Sequence, residues 1–241
     1  MPELPIHPDG GREAPGYALE RRLTRLEGLL PAARRRRAHQ GLRESSVLET
    51  LRLTGADAAE KDRESPLFDG ALEALALIES TASSGKELDL GLIREVHRLS
   101  SPPPGGEIRT RDLAPQFQNA RILSPRFIES RLQNLLDWLH GDSGRGMFPA
   151  ERMALWFPRF LEIAPFERGN FRTAHLFLSF FSCADGYPPV SLKFEEAEAV
   201  RGEVERAFLF DTGPLVRRFS SALGQSLEAM EALESAGGEG A

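Results

Sequence analysis

Apolar residues recur at steps of three and four along most of this 241-residue chain, and this spacing restricts its fold more than any other feature. In the segment 17–37, for example, leucines fall at positions 19, 23, 26, 29 and 30, which places them on one face of a helix. The same spacing predicts further helices at residues 40–53, 66–80, 89–99, 125–139, 149–163, 170–184, 195–210 and 212–233. We therefore expect an all-α protein.

One region between the predicted helices departs from this pattern. The run Ser-Pro-Pro-Pro-Gly-Gly at 101–106 forbids a helix. Residues 107–113 and 117–123 then show alternating apolar positions, and Ala-Pro-Gln separates them. This alternation predicts one small, irregular β-hairpin within the helical fold.

The ends of the chain carry small residues and turn formers but no hydrophobic period. We expect residues 1–16 and 234–241 to be disordered tails. The part between them divides into an N-terminal helical region, 17–85, and a core domain, 86–233.

Composition excludes several classes of partner and location. The hydrophobic share of 41%, the charged share of 27% and the net charge of -6 give no general attraction for nucleic acid or an anionic membrane. No run of 18 apolar residues occurs, and the N-terminus lacks a stretch of signal-peptide type. Cys183 is the only cysteine and lies in an apolar run, which favours a buried, inert thiol. We expect a cytoplasmic protein that binds neither nucleic acid nor membranes.

The segment from Ile163 to His175 is the best candidate for a functional site. It lies between two apolar helices and places Gly169 and Asn170 where the second helix begins. A helix N-terminus with a glycine suits an anion such as phosphate, because backbone N–H groups are free there. The same residues also suit a plain connection, with Gly169 in the turn and Asn170 as the N-cap. The spacing alone leaves both interpretations open.

This segment resembles the Fic signature His-x-Phe-x-(Asp/Glu)-Gly-Asn-Gly-Arg-x-x-Arg. The matching residues are Phe166, Gly169, Asn170 and Arg172. The resemblance extends from about residue 40 to residue 219 and implies a Fic-fold helical bundle with one small β-hairpin flap. Residues 153–163 resemble the helix that leads into the signature.

Two further segments carry the resemblance. Residues 106–110 resemble the start of the family's flap, which implies that Glu107, Ile108 and Arg109 dock a target protein. Residues 45–50 resemble the inhibitory motif (Ser/Thr)-x-x-x-Glu-(Gly/Asn), with Ser45 and Glu49 in register. In relatives with this motif, the glutamate pairs with the last arginine of the signature. Here Glu49 is either the remnant of such a lock or an exposed helix glutamate.

The signature has lost residues on which the family's chemistry depends. Fic proteins transfer AMP from ATP to a Ser, Thr or Tyr hydroxyl, and the signature histidine acts as the base. That position is Ala164, and loss of a positioned base costs about 10²–10⁴-fold in rate. Arg168 replaces the acidic residue that holds magnesium, so magnesium is not expected. Glu167 remains an alternative ligand, displaced by one residue.

The other two departures affect the phosphate pocket. Phe171 replaces the second glycine, where it either crowds the pocket or packs inward, and His175 replaces the last arginine. The resemblance implies that nucleotide or phosphate contacts, with ATP as the candidate ligand, come from Phe166, Arg168, Gly169, Asn170, Arg172 and His175. The remaining histidines are isolated in sequence, and we interpret them as structural or surface residues: His7, His39, His97 and His140.

Three hypotheses follow. The first is a catalytically impaired Fic-family protein, a pseudoenzyme that binds or regulates a protein partner. The second is a divergent, magnesium-independent transferase that binds a nucleotide or another phosphate compound through the remnant anion site. The third is a helical interaction domain with only a superficial resemblance to the family.

Overall fold

A computed structural model describes residues 19–24, 32–54, 65–103 and 105–237. Residues 19–24 are helical, and short 3-10 turns lie at Pro125–Phe127 and Phe194–Glu196. The α-helices are α1 (Ala32–Leu53), α2 (Pro66–Ser83), α3 (Leu90–Ser100), α4 (Ile128–His140), α5 (Asp142–Arg145), α6 (Pro149–Ile163), α7 (Asn170–Leu176), α8 (Leu178–Ala184), α9 (Ala197–Phe208) and α10 (Gly213–Gly237). No residue in these ranges belongs to a strand, so the all-α prediction is confirmed.

Local capping explains where two of these helices begin. Ser65 precedes α2 and accepts a hydrogen bond from the Phe68 N–H, while Pro66 occupies the first helical position. Asp89 precedes α3 and accepts from the Leu92 N–H at 2.7 Å. Each cap satisfies a donor that the helix itself leaves unpaired.

Helix α6 is the centre of the fold. It contacts α4, α7, α8, α9 and α10, and its aromatic side chains are buried. Trp156 packs against Phe160, Phe177 and Phe181, with ring centroids 5.0–5.7 Å apart. Because α6 is held from several sides, its C-terminal end at Ile163 has a fixed position, and the candidate site begins there.

Several helix boundaries differ from the prediction. Helix α1 runs without interruption from residue 32 to residue 53, although we predicted a break before residue 40. The predicted helix 170–184 is divided into α7 and α8 at Phe177, and α10 continues past residue 233 into the predicted tail, to Gly237. The predicted tail 1–16 lies outside the described residues. Cys183 is buried as predicted, and burial raises the pKa of its thiol.

The predicted hairpin does not form a strand ladder. Residues 107–123 run as an irregular flap, and in its second arm other groups accept from backbone N–H groups that a ladder would use. The Glu205 carboxylate accepts from the N–H groups of Gln118 and Asn119, at 2.6 and 2.8 Å. The backbone N–H of Leu123 donates to the carbonyl of Glu162. Contacts with α6 and α9 therefore replace the pairing between the two arms of the flap.

No helix in the described ranges is long and apolar enough to cross a membrane.

Candidate functional site

The loop between α6 and α7, residues 164–169, has a fixed backbone conformation. Ala164 ends α6 in the left-handed region with φ 43°, and its N–H donates to the carbonyl of Phe160 at 2.8 Å. Asn170 closes the loop: its Oδ1 accepts from the Phe166 N–H at 2.9 Å and its Nδ2 donates to the Phe166 carbonyl at 2.7 Å. Asn170 and Phe166 are both buried, so they shape the loop and do not face a ligand.

Gly169 is required where the loop approaches α3. It has φ 73°, which a residue with a side chain adopts only with strain. A Cβ at this position would lie 2.7 Å from Ser101 Oγ and 3.2 Å from His97 Nε2. Because position 169 is glycine, the loop lies closer to α3 than it could with any other residue at that position.

His97 binds this loop to α3 and to the start of the flap. Its ring stacks on Phe166 with centroids 3.6 Å apart and an angle of 10° between the planes. Nε2 donates to the carbonyl of Arg168 at 2.9 Å, and Nδ1 accepts from the Gly106 N–H at 2.8 Å. Both bonds fit one neutral tautomer. Burial lowers the pKa of His97 to about 4. With both nitrogens engaged, His97 is not available as a catalytic base.

Arg109 anchors the flap to the same loop. Its guanidinium donates to the carbonyls of Ala164 at 2.7 Å and Arg111 at 2.6 Å, and also to those of Leu123 and Ile163. Its backbone N–H donates to the carbonyl of Pro165 at 2.9 Å. Arg109 was predicted to dock a target, but its side chain is 3% exposed and its donors are used within the chain. Its role in the structure is to hold the flap in place.

A cleft of about 390 Å³ lies between the flap, the loop and the end of α3, and we call it the flap cleft. It brings together half of the residues that the sequence singled out. Those that line it are Glu107, Ile108, Arg109, Arg168, Gly169 and Arg172. Those that do not are Ser45, Glu49, Ala164, Phe166, Asn170 and His175.

Charge in the flap cleft is mixed. Arg168 is exposed, and its side chain makes no hydrogen bond or ion pair with any residue that the structure describes. Arg172 is buried and donates to the carbonyl of Ser100 at 2.7 Å. Glu167 forms an ion pair with Arg111 at 2.8 Å. An anion entering the cleft would therefore meet Arg168 first, with Arg172 in the wall behind it.

These residues do not fit a magnesium ion. The position expected to be acidic is Arg168, and a guanidinium cannot coordinate a metal. The carboxylates that line the flap cleft are Glu107 and Glu167, and Arg111 already pairs with the second. Within the described ranges, no group of three or more His, Cys, Asp or Glu residues lies close enough to hold a metal.

His175 lies apart from the flap cleft, which differs from the predicted phosphate contact. It is 0% exposed, and burial lowers the pKa of its imidazole to about 3. Nε2 accepts from the Leu192 N–H at 3.0 Å, and Nδ1 lies 2.9 Å from Thr50 Oγ1, which itself donates to the carbonyl of Ser46. This chain of bonds assigns the proton to Nδ1. His175 is thus a neutral core residue that joins α7 to α1.

Comparison with known proteins identifies a known domain in part of this chain. Residues 87–182 match the Fic/DOC family. These residues form a Fic domain. The chain is 31% identical over 135 residues to the protein adenylyltransferase fic-1 of Caenorhabditis briggsae, an alignment that covers 54% of this chain. It spans only 26% of that relative.

Solved Fic structures share the fold. Fic-1 of C. elegans, residues 134–508, superposes with a TM-score of 0.75 at 23% identity, covering 91% of this chain and 71% of that one. A complex of IbpAFic2 with adenylylated Cdc42 gives a TM-score of 0.55 at 20% identity, covering 87% and 76%. At these identities the likeness establishes the fold alone, and it confirms the Fic-fold helical bundle that the sequence predicted.

The segment that resembles the inhibitory motif contacts α7 in a different register from the one that the resemblance implies. The residue of α1 that touches His175, at the position of the signature's last arginine, is Thr50. The Glu49 carboxylate makes other contacts: it accepts from the Phe194 N–H at 2.8 Å and forms an ion pair with Arg52 at 3.0 Å. Ser45 is exposed. In this chain, two neutral side chains make the contact between α1 and α7.

Sequence reasoning missed two residues that build the site. His97 was interpreted as a structural or surface residue, but its position at the centre of the contact between α3 and the loop was not predicted. Thr50 is the last residue of the segment 45–50, and no role was predicted for it. Phe171, by contrast, packs inward against Phe157 with centroids 5.2 Å apart, one of the two outcomes foreseen for it.

Proposed function

We propose that this Fic domain is a cytoplasmic pseudoenzyme that binds or regulates a protein partner and does not transfer AMP. The observation that carries the proposal is Ala164, which stands where the family has its catalytic base. A methyl group accepts no proton, and the nearby His97 has both ring nitrogens in internal hydrogen bonds. Since Arg168 also removes the expected metal ligand, both the base and the metal site are lost.

The flap supports a binding role because its middle section is open to pairing. Residues 110–112 and 114–116 are exposed. Among the described residues, no backbone N–H between 110 and 116 donates to another group of the chain, while Arg109 holds the flap in position on one side. An extended peptide can pair with such an edge as an added strand, a mode that needs no catalytic residue. The complex of IbpAFic2 with adenylylated Cdc42 provides a precedent for a protein partner of this fold.

The first test is a transfer assay with radiolabelled ATP. The purified chain is incubated with magnesium or manganese and a panel of small GTPases and other candidate proteins, and incorporation of AMP into each protein and into the chain itself is measured. We expect no incorporation above a heat-denatured control. Transfer by the wild-type chain that disappears in Arg168→Ala and persists in Arg217→Ala would refute the pseudoenzyme proposal. Arg217 is a suitable control because it is an exposed arginine of α10, outside the flap cleft.

A second candidate function is magnesium-independent binding of a nucleotide or another phosphate compound. The specific observation in its favour is the polar wall of the flap cleft. The Ser101 Oγ is buried beside Gly169 without a hydrogen-bond partner among the described residues, and Arg168 is close by without an ion pair. A volume of about 390 Å³ is within the ordinary range for small-molecule sites.

Calorimetric titration of ATP, with magnesium and then with a chelator, distinguishes the two candidates. Binding that survives chelation and is lost in Arg168→Ala but not in Arg217→Ala would support the second candidate. Binding that requires magnesium would contradict it. Absence of binding would leave the protein-binding proposal alone.

A further inference from the structure

A second concave surface lies between α4 and α6, outside the flap cleft. It has a volume of about 530 Å³. From α4 it takes residues 131, 134, 135 and 138, and from α6 residues 155, 159, 162 and 163, with 121 and 123 at the end of the flap. On each helix these positions form one face, because they follow the pattern i, i+3, i+4, i+7 on α4 and i, i+4, i+7, i+8 on α6. We call this surface the α4–α6 groove.

The floor of the α4–α6 groove is apolar. It is formed by Leu123, Leu135, Trp138 and Leu155, which are partly exposed. Exposed apolar side chains also lie beside the groove, since the guanidinium of Arg159 at its edge lies 5.2 Å from the centroid of the Phe210 ring. Phe210 is 80% exposed and the neighbouring Leu209 is 64% exposed. Adjoining apolar surfaces of this kind mark interaction sites on soluble proteins.

The rim of the groove is basic, although the chain as a whole has a net charge of -6. Three arginines and one glutamate line it. Arg159 is paired with Glu162 at 2.5 Å. Arg121 and Arg131 are exposed and have no ion pair with a described residue. Two cations without an ion pair thus flank an apolar floor, and this combination favours an occupant with both apolar and acidic side chains.

We propose that the α4–α6 groove binds an acidic amphipathic helix of a partner protein. Apolar side chains at i, i+3, i+4 and i+7 of that helix would lie on the floor, and its carboxylates would meet Arg121 and Arg131 at the rim. The groove face of α4 spans seven residue steps, about 10 Å, which corresponds to two turns of a docked helix. The complementary charges determine which amphipathic helices bind.

The groove is distinct from the flap cleft but adjoins it. Arg109 lines the cleft and donates to the carbonyls of Leu123 and Ile163, both of which line the groove. A helix bound in the groove would therefore contact Leu123 and Ile163, whose carbonyls accept the hydrogen bonds by which Arg109 anchors the flap. The proposal does not depend on whether the flap cleft binds a protein, a nucleotide or neither.

The chain contains its own reporter for this site. It has two tryptophans: Trp138 lies in the groove and Trp156 is fully buried. The probe is a synthetic helix without Trp or Tyr that carries Leu at i, i+3, i+4 and i+7 and Glu on its remaining faces. The matched control peptide has Lys at every Glu position. Each is titrated into the full chain while tryptophan emission is recorded.

We expect a saturable change in emission with the Glu peptide and affinity for the Lys peptide that is weaker by about tenfold or more. The double variant Arg121→Glu/Arg131→Glu should weaken the Glu peptide by about tenfold and reverse the preference between peptides. Arg217→Glu, a single exposed charge reversal on α10, should leave both affinities unchanged. Thermal melts of the variants check that each is folded.

Three results would overturn the proposal. The first is equal affinity for the two peptides, and the second is an affinity for the Glu peptide that the double variant leaves intact. The third is self-association of the free chain, measured by sedimentation, that is lost in Trp138→Ala and retained in Arg217→Glu. This last result would assign the groove to a second copy of the chain.

Discussion

Two buried neutral histidines make the stability of this Fic domain depend on pH in a range where few other groups titrate. His97 and His175 have ordinary pKa values of 6.5, and burial lowers these in the folded state to about 4 and about 3. The unfolded chain therefore binds more protons than the folded chain below pH 6.5. Stability is complete above that pH and decreases as the pH falls towards the folded pKa values.

The size of the effect follows from the two shifts. Each histidine removes about 1.4 kcal/mol from the free energy of unfolding for each pH unit below 6.5. By about pH 5 the loss is about 2 kcal/mol for each histidine and about 4 kcal/mol for both. A domain of ordinary stability, about 5–15 kcal/mol, would lose a substantial part of it.

The assay is urea denaturation followed by circular dichroism, repeated from about pH 8 to about pH 5. Because carboxylates also titrate below that range, the comparison stops there. His97→Gln or His175→Gln should each remove about half of the pH dependence, whatever its own cost to stability. Asn134→Gln, at an exposed and uncharged position of α4, is the control and should leave the slope unchanged. A free energy of unfolding that is constant between pH 8 and pH 5 would refute the reasoning.

Three further changes test the contacts that build the site. Arg109→Lys cannot reproduce the forked donation to four carbonyls. It should lower the free energy of unfolding by about 3 kcal/mol and speed amide exchange in residues 107–123. Unchanged exchange would contradict the conclusion that Arg109 anchors the flap. Gly169→Ala should destabilise by about 1–3 kcal/mol, whereas Gly202→Ala, in open space on α9, should stabilise by up to about 1 kcal/mol. Thr50→Val should cost about 1–3 kcal/mol in chemical denaturation because it leaves the His175 Nδ1–H without an acceptor, and Thr50→Ser should cost far less; equal losses would exclude the hydrogen bond as the cause.

The helices could be predicted from the sequence because the signals for them are local. Ser65 and Asp89 bond to an N–H three residues away, and the apolar spacing of each helix repeats within one or two turns. The loop glycine was predictable for the same reason, since Gly169 precedes the helix that it helps to start. The unbroken length of α1 was not predicted, because the local spacing of apolar residues does not show which neighbouring elements stabilise the helix.

The flap and the contact between α1 and α7 could not be predicted in the same way, because distant residues determine them. The Glu205 carboxylate accepts from backbone N–H groups 86 and 87 residues away in sequence. The Arg109 guanidinium donates to carbonyls 54 and 55 residues away. Thr50 and His175 are separated by 125 positions. The match to the motif placed Glu49 in register by residue type alone. In the structure, α1 is rotated so that the next residue, Thr50, faces His175 of α7.

The contact between Thr50 and His175 limits which side chains position 175 can hold. An arginine at position 175 would lie in a site that is 0% exposed and faces a hydroxyl, and a buried cation without a carboxylate is costly. The core at this position therefore suits a neutral pair. The packing of α1 against α7 opposes an arginine at position 175, so a histidine at position 164 and an acidic residue at position 168 would not by themselves complete the Fic signature.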